Sequence, residues 1–137
     1  MNGFLLAVQN PASAQNTTFD QCIINKYEPG QGIGAHSDSA EFDDIIGCFT
    51  LCTDAEKTNV GCCNQKLSPG EMKFQHPLLQ LPPHKVLTEH GSLYIMPEPS
   101  RSQYTHCMIG RRTDMIDGVR THRAVRISIN FRSLKVR

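Results

Sequence analysis

The sequence predicts an all-β domain built as an antiparallel double sheet with little helix. Three observations carry this. Short β-branched and apolar runs recur along the chain, Gly/Pro/Asp turns separate them, and 3.6-residue periodicity is nearly absent. With 137 residues and 39% apolar content, the chain has enough material for one hydrophobic core but hardly two.

In chain order, residues 1–19 read as a weakly organised lead-in, polar and small over 9–18, and residues 20–137 as the domain proper. Residues 22–27 (Cys-Ile-Ile-Asn-Lys-Tyr) form the first strand. Glu28-Pro29-Gly30 stops it, because proline fixes its own φ and removes a donor. Gly30, Gly32 and Gly34 then allow a tightly turning loop that delivers His36 and Asp38. Residues 45–52 are rich enough in Ile, Phe and Thr for a core strand, and 54–61 read as a polar turn. Ser68-Pro69-Gly70-Glu71 turns into a strand at 72–76, whereas 78–83 ends in two prolines and cannot continue as an interior strand. Strands follow at 86–88, 92–96, 104–109 and 125–131. The polar stretch 111–123 reads as a surface loop near the active-site mouth, with a turn at Asp117-Gly118. Any helix is N-terminal or absent.

No run approaches the roughly 20 apolar residues that a membrane helix requires. Residues 1–6 lack the basic start and long apolar stretch of a secretion signal, so the expectation is a soluble, cytoplasmic, monomeric domain. Charge is divided unevenly along the chain. Lys/Arg stand 5 against 11 Asp/Glu over residues 1–100 and 9 against 2 over residues 101–137, eight of those nine being arginines. A guanidinium is planar and donates in pairs to phosphates and carboxylates. The basic C-terminal third therefore suits an anionic polymer or a small dicarboxylate. The six cysteines, at 22, 48, 52, 62, 63 and 107, include no Cys-x-x-Cys pair, and adjacent Cys62 and Cys63 are poorly placed to ligate one ion together. They read as buried or incidental thiols rather than as a zinc site or a disulfide framework.

Two separated fragments carry chemistry. His36 and Asp38 are two apart, so on extended backbone their side chains share a face. His106 lies at the end of a different apolar element. Two imidazoles and one carboxylate on one side of an octahedral metal leave adjacent positions open for a bidentate co-substrate and dioxygen, the arrangement of non-haem iron(II) oxygenases. Of the other histidines, His84 follows two prolines and His90 precedes Gly91, positions suited to surface loops; His76 and His122 are the remaining candidates.

Near the C-terminus, Arg126, Ser128, Asn130 and Arg132 share one strand face, and Ile127, Ile129 and Phe131 share the other. The apolar row is expected to pack between the sheets and the polar row to line a cavity. A buried arginine is unfavourable without an anion, and a dicarboxylate such as 2-oxoglutarate supplies one. Seven strand residues span about 20 Å, so the stems of Arg126 and Arg132 must converge to grip one small molecule. Asn25 and Tyr27, again two apart, offer a matching amide and phenol.

With these residues in place the sequence resembles the AlkB family of iron(II)- and 2-oxoglutarate-dependent nucleic-acid dealkylases. The matching pieces are Asn25-x-Tyr27, Gly32-Ile33-x-x-His36-x-Asp38, His90-Gly91-Ser92-Leu93-Tyr94-Ile95-Met96, His106, and Arg126 to Arg132 within Arg-Ile-Ser-Ile-Asn-Phe-Arg. They run in the family order. The resemblance implies a double-stranded β-helix, the cupin-like jelly roll, with iron(II) held by His36, Asp38 and His106. It implies that Arg126 and Tyr27 hold the distal carboxylate of 2-oxoglutarate while Arg132 and Asn25 assist at the metal-proximal end. The implied activity is oxidative demethylation of bases such as 1-methyladenine or 3-methylcytosine in RNA or single-stranded DNA. Dioxygen is the co-substrate, and formaldehyde, succinate and carbon dioxide are released.

Two features depart from the family. Only about 20 residues precede the first core strand, where the bacterial enzymes carry a longer nucleotide-recognition region. Ala40 stands two positions after Asp38, where the family has an acidic base contact, with Glu41 next to it. Glu41 and Tyr104, the latter by stacking, are the substrate-contact candidates. The opening Cys22-Ile-Ile-Asn-Lys-Tyr27-Glu-Pro-Gly30 looks like the AlkB domains of plant RNA virus replication polyproteins, which would make methylated viral RNA the substrate. The alternatives are a 2-oxoglutarate-dependent hydroxylase of a protein or small molecule, and a noncatalytic RNA-binding β-domain.

Overall fold

The computed structural model describes residues 19–52 and 67–135. The lead-in up to residue 18, the turn at 54–61, and Cys62 and Cys63 lie outside the described residues. Among the described residues the strands are β1 Gln21–Tyr27, β2 Ile33–His36, β3 Ile46–Cys52, β4 Glu71–Gln75, β5 His84–Leu87, β6 Leu93–Met96, β7 Thr105–Met108, β8 Thr113–Ile116, β9 Val119–His122 and β10 Arg126–Arg132. None of these residues is helical, and no helix long and apolar enough to cross a membrane occurs among them.

The strands form two four-stranded antiparallel sheets, ordered β1-β10-β3-β6 and β2-β7-β4-β5, and a separate β8-β9 hairpin. Period-2 alternation decides what each strand buries. Ile46 and Cys48 of β3 and Tyr94 and Met96 of β6 meet Met72 and Phe74 of β4 and Met108 of β7 in one core cluster. The Phe74 and Tyr94 rings cross it edge to face, 6.1 Å between centroids. The core thus sits between the two sheets, and the fold is a sandwich.

The expected double-stranded β-helix, or jelly roll, is not what forms: the sheets are not closed into a barrel. Closure needs a continuous ladder from sheet to sheet, whereas β1 and β6 edge one sheet and β2 and β5 the other. Proline, which has no N–H to extend a ladder, flanks these edges at Pro29, Pro82, Pro83 and Pro97. β10 also faces the other way from the expectation. Arg126 and Ser128 are the buried residues of that strand, at 3% exposure each, while Ile127, Ile129 and Phe131 are only half-buried. The polar row points between the sheets and the apolar row points outward.

Residues 111–123, expected to be a loop, instead build the β8-β9 hairpin. Its two-residue turn has positive φ at both positions, Asp117 at 49° and Gly118 at 78°, the geometry whose twist matches paired strands. Asp114 anchors the hairpin from a nearly fully buried position. It accepts from Arg123 Nε at 2.7 Å and Nη2 at 2.9 Å, from Arg111 Nε at 2.6 Å and from Ser68 Oγ at 2.7 Å. Burial pushes its carboxyl up, but the hydrogen bonds from Arg123, Ser68 and Arg111 outweigh burial and hold it down to about 2.

A carboxylate lowered in the folded state contributes stability that is complete above its unfolded pKa and lost as pH falls through the folded one. Asp114→Asn is therefore expected to destabilise by roughly 3 kcal/mol at neutral pH. The difference in melting temperature from wild type should shrink as pH is lowered from about 5 toward 2.5. Thermal unfolding followed by circular dichroism checks this; a difference independent of pH would refute the assignment.

Candidate metal centre

β2 and β7 are antiparallel neighbours, and their register sets His36 directly opposite His106. A register shift between Ile33 and His36 marks a bulge, a device that re-aims a side chain. Tight entry into β2 depends on Gly32, where a Cβ would lie 2.1 Å from the Met108 carbonyl oxygen. The two imidazole rings come within 4.3 Å of each other, centroid to centroid. Asp38 follows two residues beyond His36, just past the end of the strand.

One donor atom from each of His36, Asp38 and His106 lies within 4.8 Å of the other two. His106 Nε2 and Asp38 Oδ2 are 3.7 Å apart, too long for a hydrogen bond. His36 Nδ1 lies 2.8 Å from the Gly34 carbonyl oxygen. Donation there carries the proton on Nδ1 and leaves Nε2 as the lone-pair nitrogen. His106 is buried against Phe74, ring centroids 5.7 Å apart. Burial lowers its pKa to about 4, with Asp38 pulling upward and His36 and Arg101 adding to the fall. A neutral imidazole at physiological pH is the form a metal needs.

One guanidinium reaches this group, and a second is buried further along the same face of β10. Arg132 Nη1 lies 3.8 Å from Asp38 Oδ1, and its Cζ sits 3.6 Å above the centre of the Phe42 ring. Arg126 is paired in register with Tyr27 and stands 5.6 Å over its ring. Its Nη2 donates to Thr50 Oγ1 at 3.3 Å and to Cys48 Sγ at 3.8 Å. The Nε of both arginines is buried without a hydrogen-bond partner, and among the described residues no carboxylate pairs with Arg126. Charged donors left unpaired inside a sandwich call for a polar partner, and an anion suits them. Burial raises the pKa of Tyr27 against the opposing pull of Arg126, and burial likewise raises that of Cys48. Both therefore stay neutral, and the pocket keeps its positive charge.

Asn25 pairs in register with Ser128 on the same inner face as Tyr27 and Arg126. Tyr104 is half-buried two residues before His106, and its ring meets those of His76 at 5.3 Å and His84 at 6.3 Å. His84 lies within β5 rather than in a loop. Glu41 is exposed and is not part of the metal-ligating group. Phe42 and Thr50, which seat the two arginines, escaped the sequence reading. A phenylalanine four residues past the metal carboxylate and a threonine inside an apolar strand look like ordinary core residues.

Among the described residues the six-cysteine question narrows. Cys22, Cys48 and Cys107 carry free thiols, and none of the described cysteines belongs to a metal-ligating group.

A sandwich that places two histidines, one carboxylate and orphaned arginine donors together defines an oxygenase-type metal centre, and comparison with known proteins agrees. The pattern of the 2OG-Fe(II) oxygenase superfamily matches residues 4–132, and the chain belongs to that superfamily, in its AlkB-like part. An uncharacterized protein, L905, of Acanthamoeba polyphaga mimivirus is 30% identical over 116 residues, covering 84% of this chain and 48% of its own length. The tRNA (carboxymethyluridine(34)-5-O)-methyltransferase ALKBH8 of Macaca fascicularis is 32% identical over 106 residues, 77% of this chain and 13% of that protein. Its Xenopus tropicalis counterpart is 37% identical over 98 residues, 71% of this chain and 13% of that protein. The chain thus spans about half of the mimivirus protein and a small part of the vertebrate ones.

Proposed function

We propose that this domain oxidatively removes N-methyl groups from bases such as 1-methyladenine or 3-methylcytosine in RNA or single-stranded DNA. The observation that carries it is the His36/Asp38/His106 cluster, with Arg132 reaching Asp38 and the Nε of both Arg126 and Arg132 buried without a partner on one strand. The donor set suits iron(II), and the orphaned cations suit a dicarboxylate. A nucleic-acid substrate is supported by the surplus of arginines after residue 100 and by relatives whose names place their substrate in tRNA. The methyltransferase activity in those names is not carried over, since the match covers 13% of each protein.

In this reading His36, Asp38 and His106 hold iron(II), Arg126 and Tyr27 hold the distal carboxylate of 2-oxoglutarate, and Arg132 and Asn25 support its metal-proximal end. When bound, the iron and 2-oxoglutarate supply the dioxygen-derived oxidation of the methyl carbon, with formaldehyde, succinate and carbon dioxide as products. The protein's own work is orientation and charge compensation. Arg126 neutralises a carboxylate that would otherwise be buried alone, and the Gly34 carbonyl keeps the lone pair of His36 Nε2 available. The target base must leave its stack to reach the centre, with Tyr104 as the ring placed to meet it and Glu41 as a polar contact at the rim. The setting that goes with this reading is the cytoplasm of an infected cell, with a monomeric domain acting on methylated viral RNA; the likeness of residues 22–30 to plant-virus domains supports it.

A product screen with iron(II), 2-oxoglutarate and ascorbate tests the proposal. Methylated RNA and methylated single-stranded DNA should release formaldehyde in step with succinate, and unmethylated controls should release none. Succinate that rises only with a protein or small molecule would assign the domain to hydroxylation. RNA binding indifferent to iron and 2-oxoglutarate, with no succinate, would leave a noncatalytic module.

A further inference from the structure

Arg101, on the turn after β6, is 6% exposed, and its guanidinium is directed at the backbone of a single segment. Nη1 donates to the Asp38 carbonyl at 3.1 Å, Nη2 to those of Ser39 and, at 3.4 Å, Phe42, and Nε to that of Asp43 at 3.3 Å. Residues 38–43 form the irregular stretch that carries the metal carboxylate. Outside a regular ladder, buried carbonyls need other partners, and one planar fork with five N–H groups serves four of them. Among the described residues no carboxylate competes for Arg101.

The far side of the stretch hangs on the C-terminal tail. Asp43 N donates to Ser133 O at 2.8 Å, Lys135 N donates to Glu41 O at 2.9 Å, and Phe42 bridges to Leu134. Arg101 therefore closes the one side that the tail leaves open. Phe42, one of its four partners, is also the ring on which Arg132 rests. The position of Asp38 and the seat of Arg132 thus depend on the same guanidinium, which holds the backbone of Asp38 and Phe42 and bonds neither the Asp38 carboxylate nor Arg132.

We propose that Arg101 is a positioning residue for the metal centre: by clamping the backbone of residues 38–43 it holds the Asp38 carboxylate in ligating position. Its bonds go to the Asp38 segment rather than to the donor atoms of the triad, and the positioning effect runs through that segment, apart from the weaker influence of its charge on His106. A lysine at this place has a single ammonium with three donors and cannot reach four diverging carbonyls, so charge alone does not replace it.

The test titrates full-length apoprotein with Co(II), followed by visible absorption, for wild type, Arg101→Met and Arg101→Lys. Melting temperatures and 2-oxoglutarate kinetics are measured alongside. Co(II) affinity is expected to weaken roughly 10- to 100-fold in Arg101→Met, the range for partners that orient a ligand, with smaller weakening in Arg101→Lys. Succinate kcat should fall, and KM for 2-oxoglutarate should rise far less than in Arg126→Met, because only the Arg132 contact runs through Phe42 and Arg126 lies on β10, outside this segment. Variants that melt earlier but bind Co(II) with wild-type affinity and spectrum would overturn the proposal; if Arg101→Met does not fold, Arg101→Lys decides. The inference rests on the metal reading of the triad but not on a nucleic-acid substrate. Wild-type protein that takes up no Co(II) would defeat both, whereas a failed demethylation screen would leave the Co(II) affinities, and what they say about Arg101, unchanged.

Discussion

Asp38→Ala is expected to lose coupled turnover by at least roughly 100-fold, the upper end of what changes around a metal's ligands alone produce. The reason is charge as well as count. His36 and His106 remain as neutral donors, but the only anionic member of the cluster is gone, and a divalent ion is left with two imidazoles in a pocket that Arg132 keeps positive. Formaldehyde and succinate release from methylated RNA, with iron uptake in parallel, measures the effect. Retained activity would reject the triad. Because Asp38 contributes no strand pairing, the variant should melt within a few degrees of wild type, which separates loss of metal from loss of fold.

Arg126→Met is expected to raise KM for 2-oxoglutarate about 100-fold, equivalent to roughly 2.7 kcal/mol, within the range for deleting one partner of a buried charged contact. Turnover at saturating 2-oxoglutarate and KM for the methylated strand should change far less. The stability of the apoprotein gives a second, independent readout. Arg126 is 3% exposed and carries an orphaned Nε, and among the described residues its guanidinium meets the Thr50 hydroxyl, the Cys48 thiol and the Tyr27 ring but no counter-ion. Replacing a buried charge that lacks a counter-ion by an apolar side chain of similar length is neutral or stabilising. An unchanged or higher melting temperature together with a higher KM is the expected pair of results. A lower melting temperature with unchanged KM would make Arg126 a structural residue and end its assignment as a carboxylate clamp.

Much of the strand pattern was legible along the chain because alternation and punctuation are local. The Asn25/Tyr27 and Arg126/Ser128/Arg132 spacings put each set on one face whatever the fold, and Asp117-Gly118 forms its turn through its own backbone preferences. Which face points inward is not local. The inner face of β10 is polar because Cys48 and Thr50 of β3 and Tyr27 of β1 meet it there, and the expectation that its isoleucines fill the core failed for that reason. The β8-β9 hairpin was hidden because its stability comes from one buried carboxylate and its arginines rather than from an apolar row. Phe42 and Arg101 gave no signal at all, since the ring of Phe42 meets an arginine 90 residues away and Arg101 acts on a backbone segment about 60 residues before it.

Sequence alone determined an all-β chain, the donor types of a two-histidine, one-carboxylate centre, and a strand with arginines at both ends. Backbone chirality and side-chain chemistry settle those at each residue in turn. Tertiary structure decided that the sheets stay open, that His36 and His106 face each other across β2 and β7, and that two arginines bury donors with nothing to bind. Register, sheet closure and burial are set by pairing between segments far apart in the chain, and that pairing depends on the free energy of the whole packed sandwich.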